Sequence, residues 1–203
     1  VIGEIRMARV IGPETGFWDT TVTQDEWKLD PELQTVYSSW AAHACDLLRW
    51  FVGSAPTDVF AFIGEFGVGG PPGRSAMATY RFETGAMAQV WMSYDIPQPG
   101  LGSGLQFELV GEDGIIQVDA YGAVRLGLGS AWETPFREES FDPLNPSDPA
   151  RLRAYAAELD DLIGAVAEDS VPQVNGVEGT TTIAMIQAAE LSASTGELIT
   201  IAT

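Results

Sequence analysis

The sequence predicts an α+β domain built on a large, mostly antiparallel open sheet with helices packed on one face. Short strand-like segments separated by glycine-bearing turns fill the middle of the chain, whereas segments with helical periodicity lie before and after them. The chain has 203 residues, of which 45% are hydrophobic, and this is enough to bury one core. Because the sequence contains no internal repeat or flexible linker, residues 1–203 are expected to form a single domain.

The first two elements are a strand and a long helix. Residues 2–11 mix apolar and charged side chains and stop at Gly12-Pro13, which predicts a strand followed by a break. After a loop, Asp30-Pro31-Glu32 opens a helix predicted over 32–51, with Gly53 as its C-terminal stop. The apolar stripe of this helix consists of Leu33, Val36, Trp40, Ala44, Leu47, Leu48 and Phe51.

Six further strands are predicted in the middle of the chain. They cover 59–66, 74–82, 86–94, 105–110, 115–119 and 124–128. Glu83-Thr84-Gly85 and Glu112-Asp113-Gly114 are typical of tight hairpin turns, so the strands on either side of each turn are expected to pair antiparallel.

Neither face of the strand predicted at 86–94 is charged. One face presents Ala86, Ala88, Val90 and Met92, and the other presents Met87, Gln89, Trp91 and Ser93. A sheet face left to solvent normally carries charged or polar side chains at alternate positions. We therefore expect helices on one face and an oligomer interface, formed with further copies of the chain, on the other. This predicts a homodimer or a higher oligomer.

Two helices and a short strand complete the chain. Asp148-Pro149 caps a helix that runs to about Glu168, and a second helix spans roughly 180–195 before Gly196. A last strand is predicted over 198–201. The first of these helices has an acidic side, interpreted as a solvated face without a metal, and an apolar side formed by Leu152, Tyr155, Ala156, Leu159, Leu162, Ile163 and Val166.

Charge and cysteine content exclude several functions. Twenty-nine Asp and Glu residues against ten Lys and Arg give a net charge of −19, which repels nucleic acids and anionic lipids. No segment approaches the roughly 18 apolar residues of a membrane span, and a single cysteine, Cys45, allows no internal disulfide. We expect a cytoplasmic protein with neither a nucleic-acid nor a membrane partner. A first residue of Val1 leads us to expect that residues are missing upstream.

His43 is the only histidine and lies beside the apolar stripe of the first helix. Ser39, His43, Asp46 and Trp50 follow at steps of four, three and four, which places them along one line of the helix surface. Imidazole can transfer a proton near neutral pH, so a histidine held next to an acid could act as an acid or a base. A lone histidine on a helix is more often a surface or packed residue, and the residues alone leave both alternatives open.

Six segments, in this order, carry a resemblance to a known family. They are Ile2-Gly3-Glu4-Ile5-Arg6, Trp27-Lys28-Leu29-Asp30-Pro31-Glu32-Leu33, His43-Ala44-Cys45-Asp46-Leu47-Leu48-Arg49-Trp50, Phe82-Glu83-Thr84-Gly85-Ala86, Leu109-Val110-Gly111-Glu112-Asp113-Gly114 and residues 188–196. Together they resemble the C-terminal domain of the oxidoreductase family of glucose-fructose oxidoreductase, inositol dehydrogenase and MocA. The resemblance covers nearly the whole chain.

The resemblance implies a substrate and dimerisation domain that works with an N-terminal Rossmann domain. Family members hold NAD or NADP in that Rossmann domain and transfer hydride to or from a sugar or cyclitol. The chain contains no Gly-x-Gly-x-x-Gly motif that opens a βαβ unit, because the glycines of 64–73 are interrupted by Pro71-Pro72 and followed by another strand. We expect no nucleotide-binding domain within this chain and no cofactor bound by it alone, so that it would need a separate Rossmann partner domain.

The resemblance also assigns roles to individual residues. His43 matches the family's catalytic histidine, whereas Ser39 stands where the family has an Asp, and Lys28 does not match the family's catalytic lysine. Trp18, Trp27, Lys28 and Ser39 are the candidate contacts for a small polyol or sugar, since aromatic faces stack on sugar rings and polar groups bond hydroxyls. The alternative is a non-catalytic binding or assembly protein derived from the family, which the loss of the carboxylate at Ser39 favours.

Overall fold

An open sheet of nine strands with helices on one face makes up the computed structural model, which describes residues 1–13, 36–64, 75–97, 100–101, 104–142 and 145–202. The fold is α+β and mostly antiparallel, as predicted. In chain order the elements are β1 (Ile5–Pro13), α1 (Val36–Val52), β2 (Pro56–Gly64), β3 (Ser75–Phe82), β4 (Met87–Ser93), β5 (Gln106–Gly111), β6 (Gly114–Asp119), β7 (Ala123–Leu128), β8 (Ala131–Arg137), α2 (Pro149–Glu168), α3 (Gly176–Thr195) and β9 (Ile199–Thr200).

The strand order places the first strand in the middle of the sheet. Across the sheet the order is β8-β7-β6-β5-β1-β4-β3-β2-β9. β1 pairs parallel with β4 and antiparallel with β5, so it joins one antiparallel meander, β2 to β4, to another, β5 to β8. The hairpin patterns of the sequence predict the pairing of β3 with β4 and of β5 with β6, but they do not predict that β1 lies between two meanders.

Both predicted hairpin turns are confirmed. Gly85 has a φ of 83° in the turn between β3 and β4, and its N–H donates to the Phe82 carbonyl at 2.8 Å. In the turn between β5 and β6, the Asp113 N–H donates to the Ile2 carbonyl at 2.9 Å. At Gly111, a Cβ atom would lie 2.1 Å from that same carbonyl oxygen, so the start of the chain packs directly against the turn.

The edge strand β8 is absent from the sequence-based prediction. All seven of its residues are exposed, so no alternation of buried and exposed side chains marks it. Its Pro135 lies where the pairing of β7 with β8 shifts register, between Val124 and Leu126. Proline is tolerated in sheets at edges and bulges, because it donates no ladder hydrogen bond there.

The core lies between the sheet and the helices α1 and α3. These two helices pack against each other and against β1 to β4, and α3 also contacts β9. Small residues let the helices approach the strands closely, as at Ala41, Ala44, Ala78 and Ala88. The larger buried side chains are Val10, Tyr37, Leu48, Val59, Tyr80, Val90, Phe107 and Met185.

The helix α2 differs from α1 and α3, because its apolar side does not face the sheet. Within the described part of the chain, α2 packs along no other helix or strand, and Ala165 is its buried residue. The boundaries of α2 nevertheless match those predicted from the sequence. The Asp148 carboxylate caps the first turn by accepting from the Ala150 N–H at 2.9 Å, and Asp169 ends the helix with a φ of 51°.

The outer face of the sheet, opposite α1 and α3, is ordered in three rows of side chains. A polar row crosses six strands through cross-strand pairs and consists of Thr79, Gln89, Arg9, Glu108, Gln117 and Arg125. An apolar row flanks it on each side. One consists of Phe62, Met77, Trp91 and Ile11, and the other of Met87, Met7, Val110 and Ile115.

Candidate functional site

The N-terminal half of α1 carries the sequence-predicted histidine on an exposed surface. His43 lies one turn after Ser39, and its ring meets Trp40 edge-on with the ring centroids 5.5 Å apart. The backbone of Ser39 belongs to α1, but its side chain is outside the described part of the structure. Since an exposed imidazole can exchange protons with solvent and reach a ligand, this surface is the candidate site.

Asp46, one turn after His43, is held by the helix behind it. Its Oδ1 accepts from the Thr182 hydroxyl of α3 at 3.0 Å and from Arg49 Nη2 at 3.4 Å. Arg49 also forms an ion pair with Glu178 of α3. These bonds join α1 to α3 and direct the carboxylate into the contact between the helices. The acid that the sequence places near His43 therefore serves to hold α1 in place.

A cluster of hydroxyl and thiol groups is buried beneath the same part of α1. The Tyr37 and Tyr80 hydroxyl oxygens are 2.9 Å apart, and the Tyr80 hydroxyl also donates to the Met185 carbonyl at 3.2 Å. The Cys45 Sγ is 3.7 Å from the Tyr80 hydroxyl. Burial raises the pKa of Cys45 to about 11 and raises the pKa values of both tyrosines. Because the Cys45 thiol is protonated and enclosed, the cluster packs the core beneath the site.

Three of the proposed substrate contacts cannot be placed by the structure. Trp18, Trp27 and Lys28 lie outside the described residues. Of the site residues predicted from the sequence, the structure thus locates His43 and the backbone of Ser39, on one side of α1.

The glycine-rich segment lies between two strands that pair with each other. It connects β2, which ends at Gly64, to β3, which begins at Ser75, and these two strands pair antiparallel. A pyrophosphate is held where a glycine-rich turn leads from a strand into the N-terminus of a helix. Here the element that follows the segment is the strand β3. The connection β1–α1–β2 does run between strands that point the same way, but β3 and β4 lie between them in the sheet.

An apolar cavity lies at the other end of α1. Its volume is about 500 Å³, and its lining includes Phe51, Leu109, Ile116 and Val118. His43, two turns earlier on α1, does not line it. The cavity offers few polar groups that could orient a polyol, so it is distinct from the candidate site.

The N-terminal part of the chain identifies its family, because it matches a family model. The family model of the GFO/IDH/MocA C-terminal domain matches residues 1–117, which is more than half of the chain. The chain belongs to the GFO/IDH/MocA C-terminal domain family. No curated protein is similar enough to match it.

Solved structures share the fold of this GFO/IDH/MocA C-terminal domain over its whole length. An oxidoreductase from Agrobacterium radiobacter, solved with NAD+, L-tartaric acid and magnesium, matches with a TM-score of 0.80 at 17% identity and covers 98% of this chain and 58% of its own. Levoglucosan dehydrogenase, solved with NADH, matches with a TM-score of 0.83 at 17% identity, with 100% and 60% covered.

A third relative in structure is the WlbA dehydrogenase from Bordetella pertussis, solved with NADH and UDP-GlcNAcA. Its TM-score is 0.71 at 21% identity, with 100% of this chain and 56% of its own covered. At such identities the similarity shows the fold alone. The GFO/IDH/MocA domain described here spans between 56% and 60% of the length of these three proteins.

The structure adds residues to the site that the sequence analysis of this domain did not select. Thr182, Glu178 and Arg49 hold the helix that carries His43, and Tyr80 packs beneath it. Arg49 follows Asp46 by three residues, a spacing that indicates an ion pair on one helix surface. Nothing in the sequence indicates that Thr182 of α3, 136 residues after Asp46, supplies the hydroxyl that bonds the Asp46 carboxylate.

Among the described helices, none is long and apolar enough to cross a membrane.

Proposed function

We propose that this chain is the substrate-binding and oligomerisation half of an NAD(P)-dependent sugar or cyclitol oxidoreductase, and that a separate Rossmann domain supplies the cofactor. The observation that carries the proposal is the exposed His43 on a helix fixed by α3, in a chain that belongs to the GFO/IDH/MocA C-terminal domain family. The proteins with this fold that were solved with NAD+ or NADH support the class of cofactor.

His43 would serve the proton half of the reaction. Oxidation of a secondary alcohol releases a hydride from carbon and a proton from the hydroxyl oxygen, and the cofactor takes the hydride when it is bound. A neutral imidazole within hydrogen-bond reach of the hydroxyl can take the proton. Because Thr182 and Arg49 hold Asp46, the position of the His43 backbone is set by the α1–α3 contact.

The second candidate is a non-catalytic binding or assembly protein of the same family. Two observations favour it. Ser39 has no carboxylate to orient or charge the imidazole, and the described acid on this helix surface, Asp46, is engaged by α3. Such a protein would keep the sheet and its interface without proton transfer.

Binding of a polyol at His43 distinguishes a substrate-binding domain from an assembly protein. Saturation-transfer NMR with D-glucose and myo-inositol is expected to show contacts with the chain that fall at least threefold in His43→Ala, because the imidazole then no longer bonds a hydroxyl. Thr84→Ala, in the β3–β4 turn at the opposite end of the sheet, is the control and should bind as the unchanged chain does. Equal signals in the unchanged chain and in His43→Ala would remove His43 from the site, and no signal in either would favour the assembly protein.

The outer face supports the oligomerisation part of the proposal. Its polar row contains two arginines and one glutamate in a chain with a net charge of −19, so this face does not share the acidity of the rest. Arg9 pairs with Glu108 at 2.5 Å, and Arg125 donates to the neutral side-chain amide oxygen of Gln117 at 2.8 Å, so these polar groups are hydrogen-bonded within one copy. Two apolar rows beside a satisfied polar row are typical of a surface that another protein covers.

A charge placed in one apolar row tests this interface. Met77 is 51% exposed on the outer face, and Met77→Glu should lower the mass of the oligomer by a factor of two, because the carboxylate must be desolvated in the contact. Thr84→Glu adds the same charge at an exposed turn and should leave the mass unchanged. The measurement is sedimentation velocity over micromolar concentrations. A mass that is the same for all three proteins would contradict the interface.

A further inference from the structure

The two asparagines of the chain differ in the residue that follows them. Asn175 precedes Gly176, whereas Asn145 precedes Pro146. An asparagine loses ammonia when the backbone nitrogen of the next residue attacks its side-chain Cγ atom and closes a succinimide ring. Glycine favours this attack, because it has no Cβ beside the nitrogen and few restrictions on its backbone. Proline has no N–H to give up, so Asn145 is unable to react in this way.

The fold turns the Asn175 side chain toward the residue that would attack it. Asn175 is the N-cap of α3, and its Oδ1 accepts from the Val177 N–H at 2.8 Å and from the Glu178 N–H at 3.3 Å. These bonds direct the side chain to the first turn of the helix, which begins at Gly176. The N–H of a first helical residue has no carbonyl partner within its own helix. The Gly176 nitrogen therefore gives up no helix hydrogen bond when it attacks.

The two cap bonds also stabilise the charge that the attack creates. When the Gly176 nitrogen adds to Asn175 Cγ, negative charge develops on Oδ1, which the Val177 and Glu178 N–H groups already hold. Two backbone donors aimed at a developing oxyanion are the arrangement by which enzymes lower the barrier to such an addition. The positive end of the helix dipole lies at the same place and favours the anionic form of the attacking nitrogen.

We propose that Asn175 is a site of spontaneous deamidation and that the α3 cap promotes the reaction. The Gly176 nitrogen forms a bond to Asn175 Cγ, and the bond from Cγ to Nδ2 breaks. Nδ2 takes the proton of the Gly176 N–H and leaves as ammonia. Water then adds to one of the two carbonyl carbons of the succinimide, which opens to aspartate or to isoaspartate. The change adds one negative charge to a chain of net charge −19, and it depends on neither the polyol site nor the outer face.

The two products have different effects on α3. Aspartate keeps the cap, because its carboxylate accepts the same N–H bonds and a negative charge is favourable at this end of a helix. Isoaspartate runs the backbone through Cγ, which adds a methylene to the chain and moves the free carboxylate away from the cap. The first turn of α3 contains Glu178, whose ion pair with Arg49 connects α3 to α1. Loss of the cap loosens that turn, so isoaspartate weakens the contact that positions α1.

The first test follows the folded chain over time at mildly alkaline pH, which favours loss of the backbone proton. Trypsin cuts at arginine, so Asn145 lies in peptide 138–151 and Asn175 lies in peptide 154–203. Mass spectrometry should show a gain of about one mass unit in the peptide of Asn175 and none in the peptide of Asn145. Isoelectric focusing should show the matching, more acidic species. No gain in peptide 154–203, or an equal gain in peptide 138–151, would overturn the proposal.

The second test changes the attacking residue. Gly176→Ala places a Cβ beside the nitrogen, and no atom lies within 4 Å of that Cβ, so the variant should fold as the unchanged chain does. We expect deamidation to slow about tenfold, because the side chain hinders the attack. Gly179→Ala, also in α3 with open space around the new Cβ, is the matched control and should react at the unchanged rate. Circular dichroism checks both folds. Equal rates in all three proteins would contradict attack by the Gly176 nitrogen.

The third test measures the contribution of the cap. A peptide of residues 171–181 contains the same Asn-Gly pair without the helix, because so short a segment is not helical in water. The folded chain should deamidate at least as fast as this peptide, since the Val177 and Glu178 N–H groups stabilise the intermediate. A slower rate in the folded chain would show that the cap protects Asn175, and its proposed promotion of the reaction would then be wrong.

Discussion

Single residues beneath the candidate site are held by buried hydrogen bonds. The Tyr80 hydroxyl lies at the centre, in contact with the Tyr37 hydroxyl, the Met185 carbonyl and the Cys45 thiol. These groups belong to α1, β3 and α3, so one side chain connects both helices to the sheet. A buried hydroxyl is stabilising only while its partners are present, because an unpaired polar group is costly to bury.

Removal of the Tyr80 hydroxyl should therefore destabilise the domain more than removal of the Tyr37 hydroxyl. Tyr80→Phe removes the bond to the Tyr37 hydroxyl and the bond to the Met185 carbonyl together, and we expect it to lower the free energy of unfolding by about 1–3 kcal/mol. Tyr37→Phe is the matched control and should cost less, since the Tyr80 hydroxyl keeps its bond to Met185. Urea denaturation monitored by tryptophan fluorescence measures both. A smaller loss in Tyr80→Phe than in Tyr37→Phe would contradict the central role of Tyr80.

Elements with strong local signals are predicted from the sequence, and elements defined by distant partners are not. The hairpin turns predict β3 to β6, and the caps Asp148 and Gly196 mark the start of α2 and the end of α3. The start of α3 is predicted near 180, but the helix begins four residues earlier at Gly176, where the Asn175 side chain caps it by accepting from the Val177 and Glu178 N–H groups. The residues before this cap are irregular and rich in valine. Because they show little helical periodicity, the sequence does not indicate where the helix begins.

The candidate site is predicted only as far as one helix extends. The steps of four and three place Ser39, His43 and Asp46 on one side of α1, and the structure has this helix at that position. The direction of the Asp46 side chain depends on Thr182, which is distant in sequence, so local spacing could not predict it. Likewise, the sequence predicts the apolar side of α2 but not that it points away from the sheet. Amphipathicity identifies a face to be buried without identifying what buries it.

One glycine at an element boundary should be intolerant of any side chain. The Cβ of Gly111→Ala would lie 2.1 Å from the Ile2 carbonyl oxygen, and backbone cannot yield as a flexible side chain can. We expect this variant to separate the first residues from the β5–β6 turn and to lower the melting temperature strongly. Gly179→Ala, in α3 with no atom within 4 Å of the new Cβ, is the control. It should raise stability by about 0.5–1 kcal/mol, since alanine favours a helix. Equal melting temperatures for the two variants would contradict the close contact.

At the scale of the whole molecule, the net charge of −19 acts against compactness. Like charges repel more strongly in the folded chain than in the expanded unfolded chain, and salt screens that repulsion. We therefore expect the melting temperature at neutral pH to rise as sodium chloride increases from about 0.01 M to about 1 M, over which the Debye length shrinks from roughly 30 Å to 3 Å. Differential scanning calorimetry measures the change.

The same experiment at lower pH provides the control. Near the isoelectric point of about 4.1, the carboxylates are partly protonated and the net charge is small, so the effect of salt should largely disappear. A melting temperature that is independent of salt at neutral pH would mean that the acidic groups are too far apart to interact. Sucrose in place of salt distinguishes screening from a general effect of the solute.

The central position of β1 has a consequence for biosynthesis. The ribosome releases this strand before the rest of the domain, and its neighbours in the finished sheet, β4 and β5, emerge only after residue 87 and residue 106. Throughout that interval the nascent chain carries a strand with both edges unpaired, which is a risk for aggregation. Long-range pairing of this kind also slows folding, because loop-closure entropy must be overcome before the pairing forms. A chaperone that holds the emerging first strand would shorten the time for which it is exposed.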